Sequence, residues 1–127
     1  MAKKKILIVD DEASITRLLK FALEKTGVYE VVCENAGTKA MARIREAKPD
    51  LLILDVNMPD MGGGEISAAV AADPALKDTP VIFLTGSVTD EEADSGLEIG
   101  GHPALAKPIN MEKFLQRIAK SLSAGPR

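Results

Sequence analysis

Four apolar stretches of the sequence each end in a polar side chain of a type common in catalytic and metal sites. Asp10 and Asp11 follow the first stretch, Asp55 the second, Thr85 the third and Lys107 the fourth. If these stretches are parallel strands, their carboxyl ends share one edge of a sheet, where ligands bind in open α/β folds. One polar residue at a strand end is usually the start of a loop, but its recurrence at four ends favours a shared pocket.

Three carboxylates in one pocket restrict the chemistry that the pocket can do. Two like charges 4 Å apart repel by roughly 4 kcal/mol at an effective dielectric of about 20, so the carboxylates need cations or raised pKa values. Lys107 supplies one positive charge, and a hydrated Mg²⁺ (with Mn²⁺ as a substitute) suits an oxygen-rich site with few protein ligands. A carboxylate beside these cations and the Thr85 hydroxyl can attack phosphorus. The predicted product is an aspartyl phosphate on Asp55.

Strands and helices alternate along the chain, and this alternation determines how the polar side chains would be placed. The aliphatic run before Asp55 has no polar interruption, as in a strand buried on both faces of a parallel sheet. Alternation with helices favours right-handed crossovers and a doubly wound α/β sheet with helices on both faces. The five predicted strands are Ile6–Val9, Tyr29–Glu34 (an exposed edge), Leu51–Asp55, Val81–Leu84 before Thr85, and Pro103–Ala106.

Five helices are predicted after these strands, the third of them following a glycine turn at 62–64. Their apolar positions are, in order, Ile15, Leu18, Leu19 and Ala22; Ala40, Met41 and Ile44; Ile66, Ala69 and Val70; Ala93 and Leu97; and Phe114, Leu115, Ile118 and Leu122. Thr89 and Glu92 predict a capping box for the fourth helix, and Asn110 predicts the cap of the fifth. We expect the fourth helix to be the least firmly anchored, because its apolar stripe is the weakest.

Composition indicates a single globular domain over residues 1–127, with its core at about 4–122 and a flexible tail at 123–127. Of the 127 residues, 46% are hydrophobic and 28% charged, which is typical of a folded domain. The net charge of −3 argues against a general nucleic-acid binder. No apolar stretch approaches the roughly 18 residues of a membrane span. The single cysteine, Cys33, is interpreted as a small buried hydrophobe and favours a reducing, cytoplasmic location.

In this order and spacing, the polar residues resemble the receiver domain of bacterial two-component response regulators, over about residues 4 to 122. The motifs that carry the resemblance are Asp10-Asp11, Asp55 within Leu54-Asp55-Val56-Asn57-Met58-Pro59, Thr85, and Lys107-Pro108. The resemblance implies a flavodoxin-like fold with five parallel strands in the order 2-1-3-4-5. It also implies a Mg²⁺ held by Asp11, Asp55 and the main-chain carbonyl of Asn57, with Asp10 acting through water.

The resemblance further implies how such a site would be used. Asp55 would take a phosphoryl group from a phosphohistidine on a sensor histidine kinase or a histidine phosphotransfer protein, without turnover of an external substrate. Lys107-Pro108 would be a cis peptide. The surface around the fourth helix, fifth strand and fifth helix would then control a downstream protein partner. No direct contact with nucleic acid or membrane is expected of this module, which would be a monomer or weak dimer.

Two positions depart from the pattern of that family. Ala104 lies three residues before Lys107, where receivers usually have Tyr, Phe or His, and Gly86 follows Thr85, where alanine is usual. Alanine has no rotamers to switch, so we expect phosphorylation to reorder the backbone of the loops after the fourth and fifth strands, at residues 86–103. His102, the only histidine, is interpreted as a polar loop residue rather than a phosphorylated or metal-binding one.

Three alternatives from other functional classes remain open on the sequence alone. A phosphohydrolase would also form an aspartyl phosphate, but such enzymes generally need an acid/base carboxylate where this chain has Asn57, and a cap for the substrate. A pseudo-receiver that acts as an unphosphorylated scaffold is compatible with Ala104, whereas the complete set of polar residues argues against it. A flavin-binding module of similar topology is disfavoured by acidic loops at the strand ends.

Overall fold

The computed structural model of the protein describes residues 3–123. Its strands are β1 (Lys4–Val9), β2 (Tyr29–Glu34), β3 (Leu51–Asp55), β4 (Val81–Thr85), β5 (Glu98–Ile99) and β6 (His102–Ala106). Its helices are α1 (Ala13–Lys25), α2 (Gly37–Ala47), α3 (Gly63–Ala72), α4 (Asp90–Asp94) and α5 (Met111–Ser123). The proposed tail was expected to begin at residue 123, but Ser123 is the last residue of α5. Residues 124–127 lie outside the described residues.

The five long strands form one parallel sheet. The strand order across the sheet is β2-β1-β3-β4-β6-β5. β1 pairs in parallel with β2 and β3, β3 with β4, and β4 with β6. The predicted order 2-1-3-4-5 is therefore confirmed, with β6 as the fifth of the predicted strands. None of the helices within residues 3–123 is long and apolar enough to cross a membrane.

A sixth, antiparallel strand was missed in the sequence. β5 has two residues, Glu98 and Ile99, which pair with Pro103 and His102 of β6. Gly100 and Gly101 connect the two strands with φ angles of +57° and +84°. Positive φ at both central residues is the requirement of the tight type I′ hairpin turn, and glycine meets it at little cost. Two residues are too short for the alternating pattern by which a strand is recognised.

Two apolar layers enclose the sheet. Helices α2 and α3 cover one face and α1 and α5 cover the other. The residues of β3 before Asp55 are completely buried, which confirms the interpretation of this run as a central strand. Burial of both faces holds the carboxyl end of β3 firmly, so the position of the Asp55 side chain is set by the core.

Several helix predictions are confirmed and three need correction. Thr89 and Glu92 form the predicted capping box, and the amide of Lys113 donates to Asn110 Oδ1 at 3.1 Å. Leu18 was placed on the apolar stripe of α1, but it is 56% exposed, because the buried face of α1 runs through neighbouring positions instead. Leu97 is also exposed and lies outside α4, which has only five residues.

The third correction concerns the start of α3, where the glycine turn was expected to extend through Gly64. The helix begins at Gly63, and a Cβ atom on Gly63 would lie 2.5 Å from the main-chain oxygen of Asp55. The missing side chain therefore allows α3 to start directly against the end of β3. Gly63 serves this close approach, and the turn that precedes the helix is shorter than predicted.

Candidate active site

The carboxyl edge of the sheet brings the predicted polar residues together. Asp10 follows β1, Asp55 and Thr85 end their strands, and Lys107 follows β6. The register places the last residues of the neighbouring strands side by side, with Asp55 opposite Leu84 and Thr85 opposite Ala106. Asp10, Asp55 and Thr85 are buried, with exposed fractions of 0%, 3% and 1%. Such burial of polar groups in a small domain is unusual unless they have partners.

Lys107 is the partner of the two buried carboxylates. Its Nζ atom lies 2.8 Å from Asp10 Oδ2 and 3.3 Å from Asp55 Oδ1. A weaker contact of 3.7 Å joins Nζ to Oε1 of Glu12, whose side chain is 59% exposed. One ammonium group thus bridges two carboxylates at the centre of the site and is held there by both.

The pKa values reflect this shared environment. Burial raises the pKa of Asp55, and the negative charge of Asp10 raises it further, while Lys107 and the amide of Asn57 act in the opposite direction. Burial by itself would lower the pKa of Lys107, but contact with Asp10 and the charges of both carboxylates outweigh it and raise that pKa. Lys107 is therefore firmly cationic, and a further cation would stabilise the ionised form of Asp55.

The two oxygens of Asp10 have different surroundings. Oδ1 accepts a hydrogen bond from the amide of Glu12 at 2.9 Å. Oδ2 lies 2.8 Å from the Lys107 ammonium, and apart from this ion pair the buried oxygen has no partner within residues 3–123. A buried oxygen in this condition is suited to a bound cation or an ordered water.

The three carboxylates form an oxygen cluster that could hold a metal ion. One oxygen each from Asp10, Asp11 and Asp55 can be chosen so that all three lie within 4.8 Å of one another. Asp10 and Asp55 are buried, whereas Asp11 is exposed at the mouth of the site. Few protein ligands, all of them oxygen, with solvent on one side, fit a hydrated Mg²⁺ better than a softer metal.

Asn57 and Thr85 flank this cluster. The amide of Asn57 donates to Asp55 Oδ1 at 3.4 Å, and the Asn57 side chain is exposed. The Thr85 hydroxyl accepts a hydrogen bond from the amide of Ser87 at 3.0 Å, so it is engaged with its own loop. The Thr85 carbonyl accepts from the amide of Lys107 at 3.0 Å, which ties the lysine backbone to the end of β4.

The positions predicted to matter for switching lie outside this cluster of charges. Ala104 is 2% exposed and pairs with Phe83 in the sheet. Gly86 is exposed, with open space around the position that a Cβ would occupy. His102 is half-buried in β6, where its ring meets the Phe83 ring edge-on at 5.9 Å between centroids, so it is a strand residue and not a loop residue. The cis peptide between Lys107 and Pro108 is confirmed.

Two residues of the site were not singled out in the sequence. Glu12 contacts Lys107, and its place in an unbroken acidic run after β1 was the available signal. The side-chain amide of Asn35 donates to the carbonyl of Asp10 at 2.8 Å and to Thr16 Oγ1 at 3.0 Å. Asn35 comes from the loop after β2 and fixes the β1–α1 turn, and a contact between distant loops has no signature in a single sequence.

Comparison with known proteins identifies this combination of fold and acidic pocket. The family model described as "Response regulator receiver domain" matches residues 6–119. This chain belongs to that family. Receiver domains are signalling modules of two-component systems. They bind Mg²⁺ at an acidic pocket and interact with histidine kinases or phosphotransfer proteins.

Curated relatives and solved structures support this assignment over nearly the whole chain. The alkaline phosphatase synthesis transcriptional regulatory protein PhoP of Bacillus subtilis is 37% identical over 117 residues, which cover 91% of this chain and 47% of that protein. The phosphate regulon transcriptional regulatory protein PhoB of Pseudomonas aeruginosa is 36% identical over 93% of this chain and 51% of its own length. The chain thus spans about half the length of these curated relatives.

Among solved structures, the chemotaxis protein CheY4 of Vibrio cholerae matches with a TM-score of 0.81 and 36% identity, over 94% of this chain and 99% of that one. A putative response regulator from Chloroflexus aurantiacus matches with a TM-score of 0.83 and 30% identity, over 96% and 99% of the two chains. These matches confirm the flavodoxin-like α/β receiver fold predicted from the sequence.

Proposed function

We propose that this receiver domain, spanning residues 1–127, is a phosphoacceptor in which Asp55 takes a phosphoryl group from a phosphohistidine. The donor would be a sensor histidine kinase or a histidine phosphotransfer protein. The observation that carries the proposal is the environment of Asp55, which is buried, 3.3 Å from the Lys107 ammonium and grouped with two further carboxylates. A carboxylate held beside cationic groups at a strand end is equipped to attack an electrophilic phosphorus.

The transfer itself needs one bond to form and one to break. A carboxylate oxygen of Asp55 forms a bond to phosphorus while the bond from phosphorus to the imidazole nitrogen breaks. The imidazole nitrogen leaves with the electron pair of that bond. It then takes up a proton from water, so the histidine side chain of the donor becomes neutral. The Lys107 ammonium is in place to offset the negative charge of the phosphoryl oxygens without moving far.

Asp10, Asp11, Asp55 and the main-chain carbonyl of Asn57 are the residues proposed to hold Mg²⁺, with Mn²⁺ as a substitute. When bound, the ion would neutralise charge on the phosphoryl oxygens and so favour attack of the Asp55 carboxylate on the phosphorus. The oxygen cluster formed by Asp10, Asp11 and Asp55 and the exposure of Asp11 support this set. The protein contributes the fixed orientation of the carboxylates, of which Asp10 and Asp55 are held by the core.

After transfer, Thr85 would report the new group. In the unphosphorylated structure the Thr85 hydroxyl accepts a hydrogen bond from the amide of Ser87. After transfer, the hydroxyl would donate its proton to a phosphoryl oxygen and draw the loop after β4 towards the site. Gly86 has open space around it, and Ala104 has no side-chain rotamer that could move with Thr85. We therefore propose that residues 86–103 change their order on phosphorylation and alter the surface formed by α4, β6 and α5. The short α4 supports this, because Ala93 is its one buried residue.

The reader of that surface is proposed to be a protein rather than nucleic acid, bound by a monomer or weak dimer. The net charge of −3 gives no basic footprint, although the relatives PhoP and PhoB are named as transcriptional regulators over their full lengths. The proposal includes a cytoplasmic location, where kinase phosphohistidines are formed and where the unpaired Cys33 would stay reduced.

The proposal is tested with a small phosphodonor. The protein is incubated with Mg²⁺ and acetyl phosphate, and its mass is measured, with beryllofluoride as a mimic for NMR shifts. We expect one phosphoryl group on the wild type and none on Asp55→Asn. Asp50→Asn is the matched control, because Asp50 flanks the other end of β3 and binds the amide of Lys5.

Each outcome separates the classes of function. No modification of the wild type would overturn the proposal in favour of an unphosphorylated scaffold. Rapid multiple turnover of phosphomonoesters, lost in Asp55→Asn, would overturn it in favour of a phosphohydrolase. Modification that persists in Asp55→Asn would overturn the assignment of Asp55 as the phosphoacceptor, because the phosphoryl group would then be on another residue.

A further inference from the structure

Asp60, which has no role in the proposed chemistry, bridges the β3–α3 loop and the start of α2. It lies in the loop between β3 and α3, and its Oδ2 accepts hydrogen bonds from the amide of Thr38 at 3.0 Å and from the Thr38 hydroxyl at 3.2 Å. Its Oδ1 accepts from the amide of Met61 at 2.9 Å. The hydrogen bond from the Thr38 amide is the main cause of a lowered pKa at Asp60, so the carboxylate is ionised when it makes these contacts.

Thr38 is in the first turn of α2, whose amides need a partner from outside the helix. The residue that precedes α2 is Ala36, which has no side-chain hydrogen bond to offer. Asp60 supplies the missing acceptor from a loop 22 residues away. An ionised carboxylate also interacts favourably with the positive end of a helix. The cap of α2 is therefore a residue of the loop beside the active site.

Gly37 makes this approach possible. A Cβ atom on Gly37 would lie 2.3 Å from the carbonyl oxygen of Met61 and 2.9 Å from Asp60 Oδ1. Real Cβ contacts are not this short, so any other residue at position 37 would push the loop away. The half-buried Met61 side chain packs on the core between α2 and α3 from the same loop. Backbone contact and hydrogen bonding thus converge on one junction.

The rest of the loop is fixed at its two ends. The amide of Val56 donates to the carbonyl of Leu84 at 3.0 Å, and the amide of Gly63 donates to the carbonyl of Val56 at 3.2 Å. Between these points, the contact of the Asn57 amide with Asp55 is a long one at 3.4 Å. The Asp60 carboxylate therefore makes shorter hydrogen bonds than the Asn57 amide does in this part of the loop, and the main-chain carbonyl of Asn57 is a proposed ligand.

We propose that Asp60 is a positioning residue that anchors the β3–α3 loop to the start of α2, so that the Asn57 backbone is ordered for Mg²⁺ before the ion arrives. This inference rests on the proposed function, because it assigns the anchor of one proposed ligand. Ordering the ligand in advance removes an entropic cost from binding. Groups that orient metal ligands typically change metal affinity by about 10-fold or more when they are removed.

The test is a Mg²⁺ titration followed by amide NMR shifts at Asp11, Asp55 and Asn57. We expect Asp60→Ala to raise the dissociation constant by about 10-fold, and Asp60→Asn to raise it less, because one oxygen remains as an acceptor. Gly37→Ala is expected to act in the same direction while leaving Asp60 intact. In the metal-free protein, the amides of Asn57 and Met61 should exchange faster in all three variants.

Asp73→Ala is the matched control. Asp73 caps a turn at the opposite edge of the sheet, where its Oδ1 accepts from the amide of Ala75 at 2.9 Å. It should lower Tm by an amount similar to Asp60→Ala, with no change in Mg²⁺ affinity. Equal Mg²⁺ affinity in wild type, Asp60→Ala and Gly37→Ala would overturn the inference, as would an equal loss in Asp73→Ala. A wild type that shows no Mg²⁺ response would instead overturn the proposed function, and unchanged exchange at Asn57 and Met61 would still overturn the anchoring.

Discussion

Two connections border the pocket, and they are built in opposite ways. The anchored loop, residues 56–62, is held by Asp60 on α2 and by the packing of Met58 and Met61 on the core. The open segment, residues 86–101, contains the five-residue α4 and the turn into β6. At Gly86, Gly96, Gly100 and Gly101 the position of a Cβ is surrounded by open space.

Under the proposed function, this difference would let one site be rigid for chemistry and responsive for signalling. The charged groups are fixed by the central strands and the anchored loop, where little can move without disturbing the core. The open segment buries little apolar surface, and segments of this kind open at low free-energy cost. In the proposed switch, a small change at Thr85 would therefore be transmitted to the open segment while the carboxylates stay in place. Matched substitutions on the two sides test this contrast.

The largest expected difference is between two lysines. Lys107→Met leaves Asp10 and Asp55 buried without their cation, and we expect a loss of about 3 kcal/mol in the free energy of unfolding at pH 7. Lys113→Met removes a 2.8 Å ion pair with Asp94 between α5 and α4, where both side chains are partly exposed. Such pairs contribute below about 1 kcal/mol. Urea denaturation measures both, and equal losses would contradict the contrast.

The pH dependence of the lysine substitution has a definite sign. The pKa of Lys107 is raised in the folded state, so its stabilising contribution is complete below its ordinary pKa of about 10.5. That contribution is lost as the pH rises through the higher value of the folded state. The destabilisation caused by Lys107→Met should therefore become smaller once the pH exceeds the raised pKa of Lys107. At pH 7, added Mg²⁺ should restore part of the lost stability.

A smaller difference is expected between two glycines. Gly63→Ala places a Cβ 2.5 Å from the main-chain oxygen of Asp55, and overpacking of this kind costs about 2 kcal/mol. Gly86→Ala meets open space and should be neutral or stabilising by about 0.4 kcal/mol, since alanine restricts the unfolded chain. Thermal denaturation of the two variants provides the comparison. A loss in Gly86→Ala as large as that in Gly63→Ala would show that the open segment is packed more tightly than described.

The smallest effect concerns the two aspartates Asp55 and Asp94. The folded state raises the pKa of Asp55, so ionised Asp55 weakens the metal-free protein above the unfolded pKa of about 3.9. Asp55→Asn should therefore raise Tm at pH 7 by roughly 3 °C, and the gain should disappear as the pH falls below about 4. Asp94→Asn, on the open side, should not raise Tm. A lower Tm for Asp55→Asn at pH 7 would mean that its ion pair with Lys107 outweighs the burial of the charge.

The predictable parts of the site are those whose signal lies in the sequence of a single strand. Asp55 follows an uninterrupted aliphatic run, and such a run becomes a buried central strand whatever surrounds it. The convergence of Asp10, Thr85 and Lys107 followed from parallel topology alone, since each ends a strand of the same sheet. Strand register and burial then determine the distances among these side chains, with no further signal needed in the sequence.

The parts that were missed depend on contacts between segments far apart in sequence. Asn35 and Asp60 act on neighbouring loops, and their partners become apparent only when the strands are aligned. Leu18 satisfied helical spacing, but the rotation of α1 on the sheet selected Leu19 and Leu23 for burial. The hairpin of β5 is set by the positive φ angles of Gly100 and Gly101, and no apolar pattern marks it. Periodicity identifies an element, whereas tertiary packing decides its exposed face.

The short strand β5 also affects how the sheet can meet other chains. A parallel sheet that ended in β6 would present an unpaired row of backbone groups, which is a template for strand addition and aggregation. Here β5 covers the start of β6, and the partner of Glu98 is Pro103, which has no amide hydrogen. The strand that covers this part of the edge is two residues long and contains a charged side chain. The start of β6, His102 and Pro103, is therefore shielded from backbone pairing with another chain.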